Sequence, residues 1–114
     1  MSPDVVVIAD DLTGAGDTAV QFTAAGWSTE LQLHPADSSA EVVALTTDSR
    51  ALSAERAAQR VAATARAVLE RGGGPRIYKK IDSTLRGPVR AEVEAVLGVL
   101  GDDIVAVVCP AFPA

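Results

Sequence analysis

Short β-branched apolar runs alternate along the chain with longer Ala-rich stretches whose apolar residues recur at helical spacing. Val5-Val6-Val7-Ile8-Ala9 is a continuous apolar run of strand length, suited to a strand buried on both faces. The next stretch predicts a helix capped by Thr13 and running to about Ala25, with Ala19, Val20, Thr23 and Ala24 on one face and Gly26 as its stop. Residues 28–33 alternate like an edge or half-buried strand, His34 to Ser39 is turn chemistry, and residues 42–46 read as a third strand. Ser53 caps a long helix to about Arg71, with Ala57, Val61, Ala65, Val68 and Leu69 at helical spacing, and Gly72-Gly73-Gly74-Pro75 ends it. Residues 76–81 predict a fourth strand. Pro88 suits the first turn of a third helix with the stripe Val89, Val93, Val96, Leu97 and Leu100, and residues 104–109 predict a fifth, apolar strand.

Strands alternating with helices predict an α/β fold: an open, mostly parallel, Rossmann-like sheet with helices on both faces and right-handed crossovers. Only three helices are available to cover five strands, and the sequence stops just past an apolar run. The expectation is an incomplete domain.

Composition narrows the function classes. The chain has 114 residues, 48% hydrophobic and 22% charged, which is globular. A net charge of -5 removes a global electrostatic footprint for nucleic acid or for an anionic membrane, so neither is expected as a partner. The single cysteine, Cys109, excludes an intramolecular disulfide and a multi-cysteine zinc site within the chain. His34 is the only histidine, which leaves no His-rich metal centre and one residue on which a Ser-His-Asp triad could be built. The start has no basic leader and Val5 to Ala9 is too short to span a bilayer, so the expected compartment is the cytoplasm. Cys109 reads as core, Trp27 as packing on the sheet, His34 as exposed, and Phe112 as packing on a part of the protein outside this sequence.

In open α/β sheets ligands bind outside the carboxyl ends of the strands. Polar residues concentrate there three times: Asp10-Asp11-Leu12-Thr13-Gly14-Ala15-Gly16-Asp17 after the first strand, Thr47-Asp48-Ser49-Arg50 after the third, and Asp82-Ser83-Thr84-Leu85-Arg86-Gly87 after the fourth. Each is explicable alone as caps and turns, but three on one edge point to a site. Gly14 to Gly16 at a helix start offers backbone N–H groups to an anionic oxygen. Asp10, Asp11 and Asp17 suit substrate hydroxyls, and one of them can take a proton from an attacking hydroxyl. Arg50 presents a planar fork for a carboxylate. Lys79 and Lys80 face opposite sides of a strand; Lys80 shares its face with Asp82, and Lys79 reads as solvated or structural. Arg86 completes an anion pocket. No Gly-Lys-Ser/Thr follows the glycines, so this is not a Walker A loop. A small polyhydroxylated carboxylic acid matches the mixture.

The strings IADDLTGAGDTAVQF (8–22), TTDSR (46–50), YKKIDSTLRG (78–87), AEVEAVL (91–97) and CPAFPA (109–114) occur in that order. Together they resemble the N-terminal sugar-acid-binding domain of the four-carbon acid sugar kinase family. The resemblance implies that residues 1–114 are about half of that α/β domain, with the ATP-binding domain outside this chain. It implies an ATP-dependent kinase that phosphorylates the terminal hydroxyl of a threonate, erythronate or 3-oxo-tetronate. ATP and Mg²⁺ would then belong to the full-length parent, with no cofactor or metal bound by this chain alone and no turnover by it alone. Substrate contacts are implied at Asp10 or Asp11, Arg50, the stretch Lys80, Ile81, Asp82 and Ser83, and Arg86, with Asp11 and Asp17 as candidate bases. Three alternatives stand beside it. Thr13 to Thr18 resembles a ribokinase-type signature that would use Asp17 as base; the chain could be a non-catalytic sugar-acid-binding fragment or relic; or its apolar strand could engage a partner chain.

Overall fold

The computed structural model describes residues 3–108. Four strands, β1 (Val5–Ala9), β2 (Thr29–Gln32), β3 (Val42–Thr46) and β4 (Arg76–Lys80), form one parallel sheet in the order β2-β3-β1-β4. Three helices, α1 (Leu12–Ala24), α2 (Ala54–Glu70) and α3 (Val89–Leu100), alternate with them. The α/β class and the parallel sheet are those the pattern predicts.

Period-two alternation sorts the central strands into two cores. Val7, Ala9, Val42 and Ala44 meet Ala15 and Ala19 of α1 on one face. Val6, Ile8, Val43 and Leu45 meet Ala65 and Val68 of α2 on the other, joined by Ile77 of β4 and Val99 of α3. The sheet is therefore covered by α1 on one side and by α2 and α3 on the other. The register pairs Val6 with Val43 and Ile8 with Leu45, so each face is continuous across the two most buried strands.

α2 keeps the predicted cap and face: Ser53 accepts from Arg56 N–H, and Ala57, Val61, Ala65 and Val68 are buried. α1 departs from expectation. Its cap is Asp11, not Thr13, because the Asp11 carboxylate reaches the Gly14 N–H at 2.8 Å. Its buried face is Ala15, Thr18 and Ala19, whereas Val20 and Thr23 point outward. Small residues one turn apart bring the helix close to the sheet, which a valine stripe would not allow. In α3 only Val96 of the expected stripe is buried; the most buried residue of the helix is Glu92, held there by polar partners described below.

Residues 104–108 do not form the expected fifth strand and lie exposed, Val105 at 85% and Val107 at 92%. A wholly apolar run suits a strand whose two faces are both covered. Beside β4 the α1 side is open, leaving Tyr78 exposed. Trp27 stacks edge-to-face on Phe22 at 6.1 Å instead of lying on the sheet, and Phe22 does the same with Tyr78 at 6.2 Å. His34 is exposed, as expected. Cys109, Phe112 and the rest of residues 109–114 lie outside the described residues.

Truncating the central core tests this layering. Leu45→Ala should destabilise by about 2–5 kcal/mol in urea unfolding, whereas Val105→Ala should stay within about 0.5 kcal/mol.

Candidate functional site

Parallel strands put all their carboxyl ends on one edge. The chain leaves β1 toward the α1 face, but leaves β3 and β4 toward the α2 and α3 face. Adjacent connections thus diverge on both sides of β1, which opens crevices there. Asp10 and Asp11 follow β1 directly, Arg50 lies four residues past β3, and Asp82 to Arg86 follow β4. All three predicted clusters meet at the end of β1.

Their meeting point is the Arg50 guanidinium. It binds Asp10 in a fork, Nε donating to Oδ2 at 3.0 Å and Nη2 to Oδ1 at 3.1 Å. Nη1 lies 3.3 Å from Asp11 Oδ2, and Nη2 lies 3.3 Å from Asp82 Oδ1. The surrounding carboxylates, Asp10 foremost, raise the Arg50 pKa further above its ordinary value. Asp10 also holds the arginine's own backbone, its carbonyl accepting from Ser49 N–H at 2.9 Å and Arg50 N–H at 3.3 Å. Arg50 thus faces the protein's carboxylates on every nitrogen, where the sequence suggested a fork free for a ligand.

Asp82 organises the loop after β4. Its Oδ2 accepts from Thr84 N–H at 3.0 Å, Thr84 hydroxyl, Arg86 N–H at 3.2 Å and Arg86 Nε at 2.9 Å, and its Oδ1 accepts from Arg86 Nη2 at 2.7 Å. These donors, the Arg86 side chain first and Thr84 next, hold the Asp82 carboxyl well below the usual carboxylate range. Asp82 does not cap α3, whose first residue follows Pro88 without a side-chain cap. Gly87 then brings the loop against the hub. With φ at 84°, an added Cβ there would lie 3.1 Å from Arg50 Cγ and 3.3 Å from Asp10 Oδ2.

The remaining predicted residues distribute around this hub. Lys80 runs along the start of α1, its Cγ 3.6 Å from where a Gly14 Cβ would stand, and its Nζ donates to the Ile81 carbonyl. Ile81 is half-buried and Ser83 is exposed at the loop's outer side. Asp17 is exposed on α1, with no ion pair or hydrogen bond from its side chain to Asp10, Asp11, Arg50 or Asp82 among the described residues. The Gly14 N–H, offered by the sequence as an anion donor, is already taken by Asp11. Of the two roles expected of Lys79, solvated or structural, it takes the structural one: its Nζ pairs with buried Glu92 at 2.9 Å. Residue-by-residue reading missed Glu92, Arg60 and the close approach of Gly87 to Arg50. Arg60 reaches back from α2 to the carbonyls of Thr47 at 3.3 Å and Asp48 at 3.0 Å, closing the end of β3. Its only signal in the sequence was its place on the polar side of a helix.

Three carboxylates and two guanidiniums therefore form one connected network, with Asp11 and Arg86 at its wetter margin. An open cleft lined by Leu12, His34, Thr46, Asp48 and Arg60 adjoins it at the ends of β2 and β3. Alcohol groups suit such a network because a hydroxyl donates to a carboxylate and accepts from a guanidinium. Among the described residues no group of three or more His, Cys, Asp or Glu is arranged to hold a metal ion, and no helix is long and apolar enough to cross a membrane.

Comparison with known proteins now bears on this geometry. The model of a family described as a sugar-binding N-terminal domain matches residues 5–114. A D-threonate kinase of Bordetella bronchiseptica is 50% identical over 122 aligned residues, which take in 97% of this chain and 29% of that protein. A D-erythronate kinase of Heliobacterium modesticaldum is 47% identical, covering 96% of this chain and 26% of its own length. A D-threonate kinase of Salmonella typhimurium is 41% identical with the same coverages. The chain thus spans under a third of the length of these curated relatives. A crystal structure of a domain of unknown function from Bordetella bronchiseptica, a domain-swapped dimer with bound citrate, superposes with a TM-score of 0.89 at 50% identity, over 97% of this chain and 29% of that one.

The hub's geometry sets two expectations. A carboxyl whose pKa is lower in the folded than in the unfolded chain stabilises the fold above its unfolded value, about 4, and that contribution fades as pH falls toward the folded value. The ¹³C signal of the Asp82 carboxyl should therefore show no inflection between about pH 3 and 5, and Arg86→Ala should bring one back toward the ordinary range. Gly87→Ala should destabilise by about 1–3 kcal/mol in urea unfolding, from strain and contact with Arg50. Gly16→Ala, whose Cβ would meet nothing within 4 Å in α1, should stabilise by about 0.5–1 kcal/mol.

Proposed function

Because the chain belongs to the sugar-binding N-terminal domain family, we propose that it is the acceptor-binding part of an ATP-dependent kinase for a four-carbon sugar acid of the threonate or erythronate type. The observation that carries this reading is the convergence of three loops on the Arg50 guanidinium at the end of β1. Asp10, Asp11 and Asp82 accept hydrogen bonds from the acid's hydroxyls, and the guanidiniums that pair with them donate to the same oxygens. Asp11, the carboxylate of the hub with the most exposed side chain, at 28%, is the one that meets the reacting terminal hydroxyl. The acid's carboxylate points outward to Lys80 and to Arg86, whose side chain is 66% exposed, because a fourth negative charge inside the hub would face three aspartates. Ser83 and the Ile81–Asp82 backbone line the same rim.

Phosphoryl transfer is largely positioning and charge stabilisation between two bound substrates. This chain offers the acceptor side. Its described residues do not fit ATP or Mg²⁺: the glycine turn after β1 has its first amide occupied by Asp11, and the hub carboxylates are already paired with arginines. A separate ATP-binding domain is thus part of the proposal, and with it a cytoplasmic setting where free sugar acid and ATP occur together. The fragment by itself is expected to bind and not to turn over.

Calorimetric titration of D-threonate and D-erythronate into the full-length protein tests the site. Asp10→Asn and Arg50→Lys, with unfolding curves recorded alongside, should each weaken binding by roughly tenfold to a hundredfold, as expected for lost charge-assisted hydrogen bonds. Folded variants that bind as well as the parent would refute the assignment. Asp17→Asn addresses the ribokinase-type alternative, which a hundredfold loss of turnover with intact binding would favour.

A further inference from the structure

A second polar network lies directly beneath the hub, inside the protein. Glu92 is 2% exposed, on the helix α3 that packs against α2. Its Oε2 accepts from the Ser49 hydroxyl at 2.9 Å. With the Ser49 hydrogen given to Glu92, Thr47 Oγ1, 2.6 Å away, donates to Ser49 Oγ, and the Thr47 backbone N–H donates to the Ala9 carbonyl at 2.8 Å. Glu92 Oε1 has Lys79 Nζ 2.9 Å away as its counter-charge but no well-aligned hydrogen bond. Lys79 Nζ also donates to the Lys80 carbonyl at 3.0 Å.

Each of these partners adjoins a residue of the site. Ala9 precedes Asp10, Ser49 precedes Arg50, and the Lys80 carbonyl is two residues before Asp82. The carboxylate on α3 therefore ties the end of β3, through Ser49, to β4, through Lys79, and reaches the end of β1 only through Thr47, beneath the place where Arg50 joins the same three loops. Cohesion alone does not call for it. A buried ion pair is often matched or bettered in stability by apolar side chains of similar size, and apolar residues fill the surrounding core. The hydrogen bonds of this pair to Ser49 past β3 and to the Lys80 carbonyl at the end of β4 are what an apolar pair could not supply.

We infer that Glu92, with Lys79, is a positioning residue: it fixes the separation of Asp10, Arg50 and Asp82 without touching the substrate. The inference deepens the sugar-acid reading of the site and rests on it for its functional consequence, but its structural content can be tested independently.

The test uses the full-length protein, the apolar double variant Lys79→Met/Glu92→Leu, and the isosteric Glu92→Gln. Three quantities are read: the thermal midpoint, the solvent exchange rate of the Arg50 Nε–H in arginine-labelled protein, and the affinity for D-threonate. Both variants should unfold within a few degrees of the parent, exchange the Arg50 Nε–H at least tenfold faster, and bind D-threonate at least tenfold more weakly. Glu92→Gln carries the test if the double variant does not fold. Parent-like Arg50 exchange in a folded variant would overturn the inference, as would faster exchange with parent-like affinity. If the parent itself does not bind D-threonate, the substrate reading fails, and the exchange rates alone decide whether Glu92 positions Arg50.

Discussion

One guanidinium shared among three carboxylates holds this edge of the protein together. Asp10, Asp11 and Asp82 would repel one another if brought to the same place without a cation. Arg50 turns that repulsion into a joint between the loops of three different strands. Hydrogen bonds to charged groups contribute about 1.5–3 kcal/mol each when shielded, and the Asp10 fork is the best shielded of them. The surrounding features follow from it. Gly87 lets the β4 loop approach, Asp11 both caps α1 and faces the arginine, and the Asp10 carbonyl anchors the backbone of residues 49 and 50.

The joint exists because the sheet is parallel and its connections part company around β1. An antiparallel neighbour would have put one of these loops on the far edge. Divergence of the connections leaves the end of β1 uncovered by helix, so charged side chains can gather there with partial access to water. Asp48, with φ at 48°, and Leu85, with φ at 61°, bound this region. Left-handed conformations of such residues cost roughly 1–2 kcal/mol apiece, which the pinned loops on either side sustain.

Much of the architecture was legible because it depends on patterns that a linear sequence carries whole. β3 and α2 were predicted almost to the residue, the first from a β-branched run and the second from a four-residue apolar spacing with a serine cap. The gathering of the three polar clusters on one sheet edge was legible too, since strand ends follow from strands. What the polar residues bind there was not. Arg50 reads the same in sequence whether its fork meets a ligand or Asp10, and Glu92 reads like any helical glutamate until Ser49 and Lys79 are brought to it by residues distant in the chain. The cap of α1 was expected at Thr13, but the Asp11 carboxylate takes the Gly14 N–H, and a side chain at Gly14 would stand 2.7 Å from the Asp11 oxygen. Residues 104–108 show the converse limit, because apolar content does not state whether an edge is ready to receive it.

The saturation of Arg50 also constrains what kind of molecule the proposed site accepts. A bare carboxylate entering the hub would have to displace an aspartate from the guanidinium, leaving a partly buried charge unpaired, which costs more than the new pair returns. A hydroxyl has no such problem: it inserts between carboxylate and guanidinium, donating to one and accepting from the other, and leaves the charge balance untouched. A polyhydroxylated acid can therefore place its alcohols in the hub and its acid group at the rim, toward exposed Arg86 and half-buried Lys80. Discrimination between acids of equal charge then falls to the stereochemistry of the hydroxyls, since each must meet an oxygen and a nitrogen whose positions are fixed by Arg50 above and by the Ser49–Glu92–Lys79 layer below.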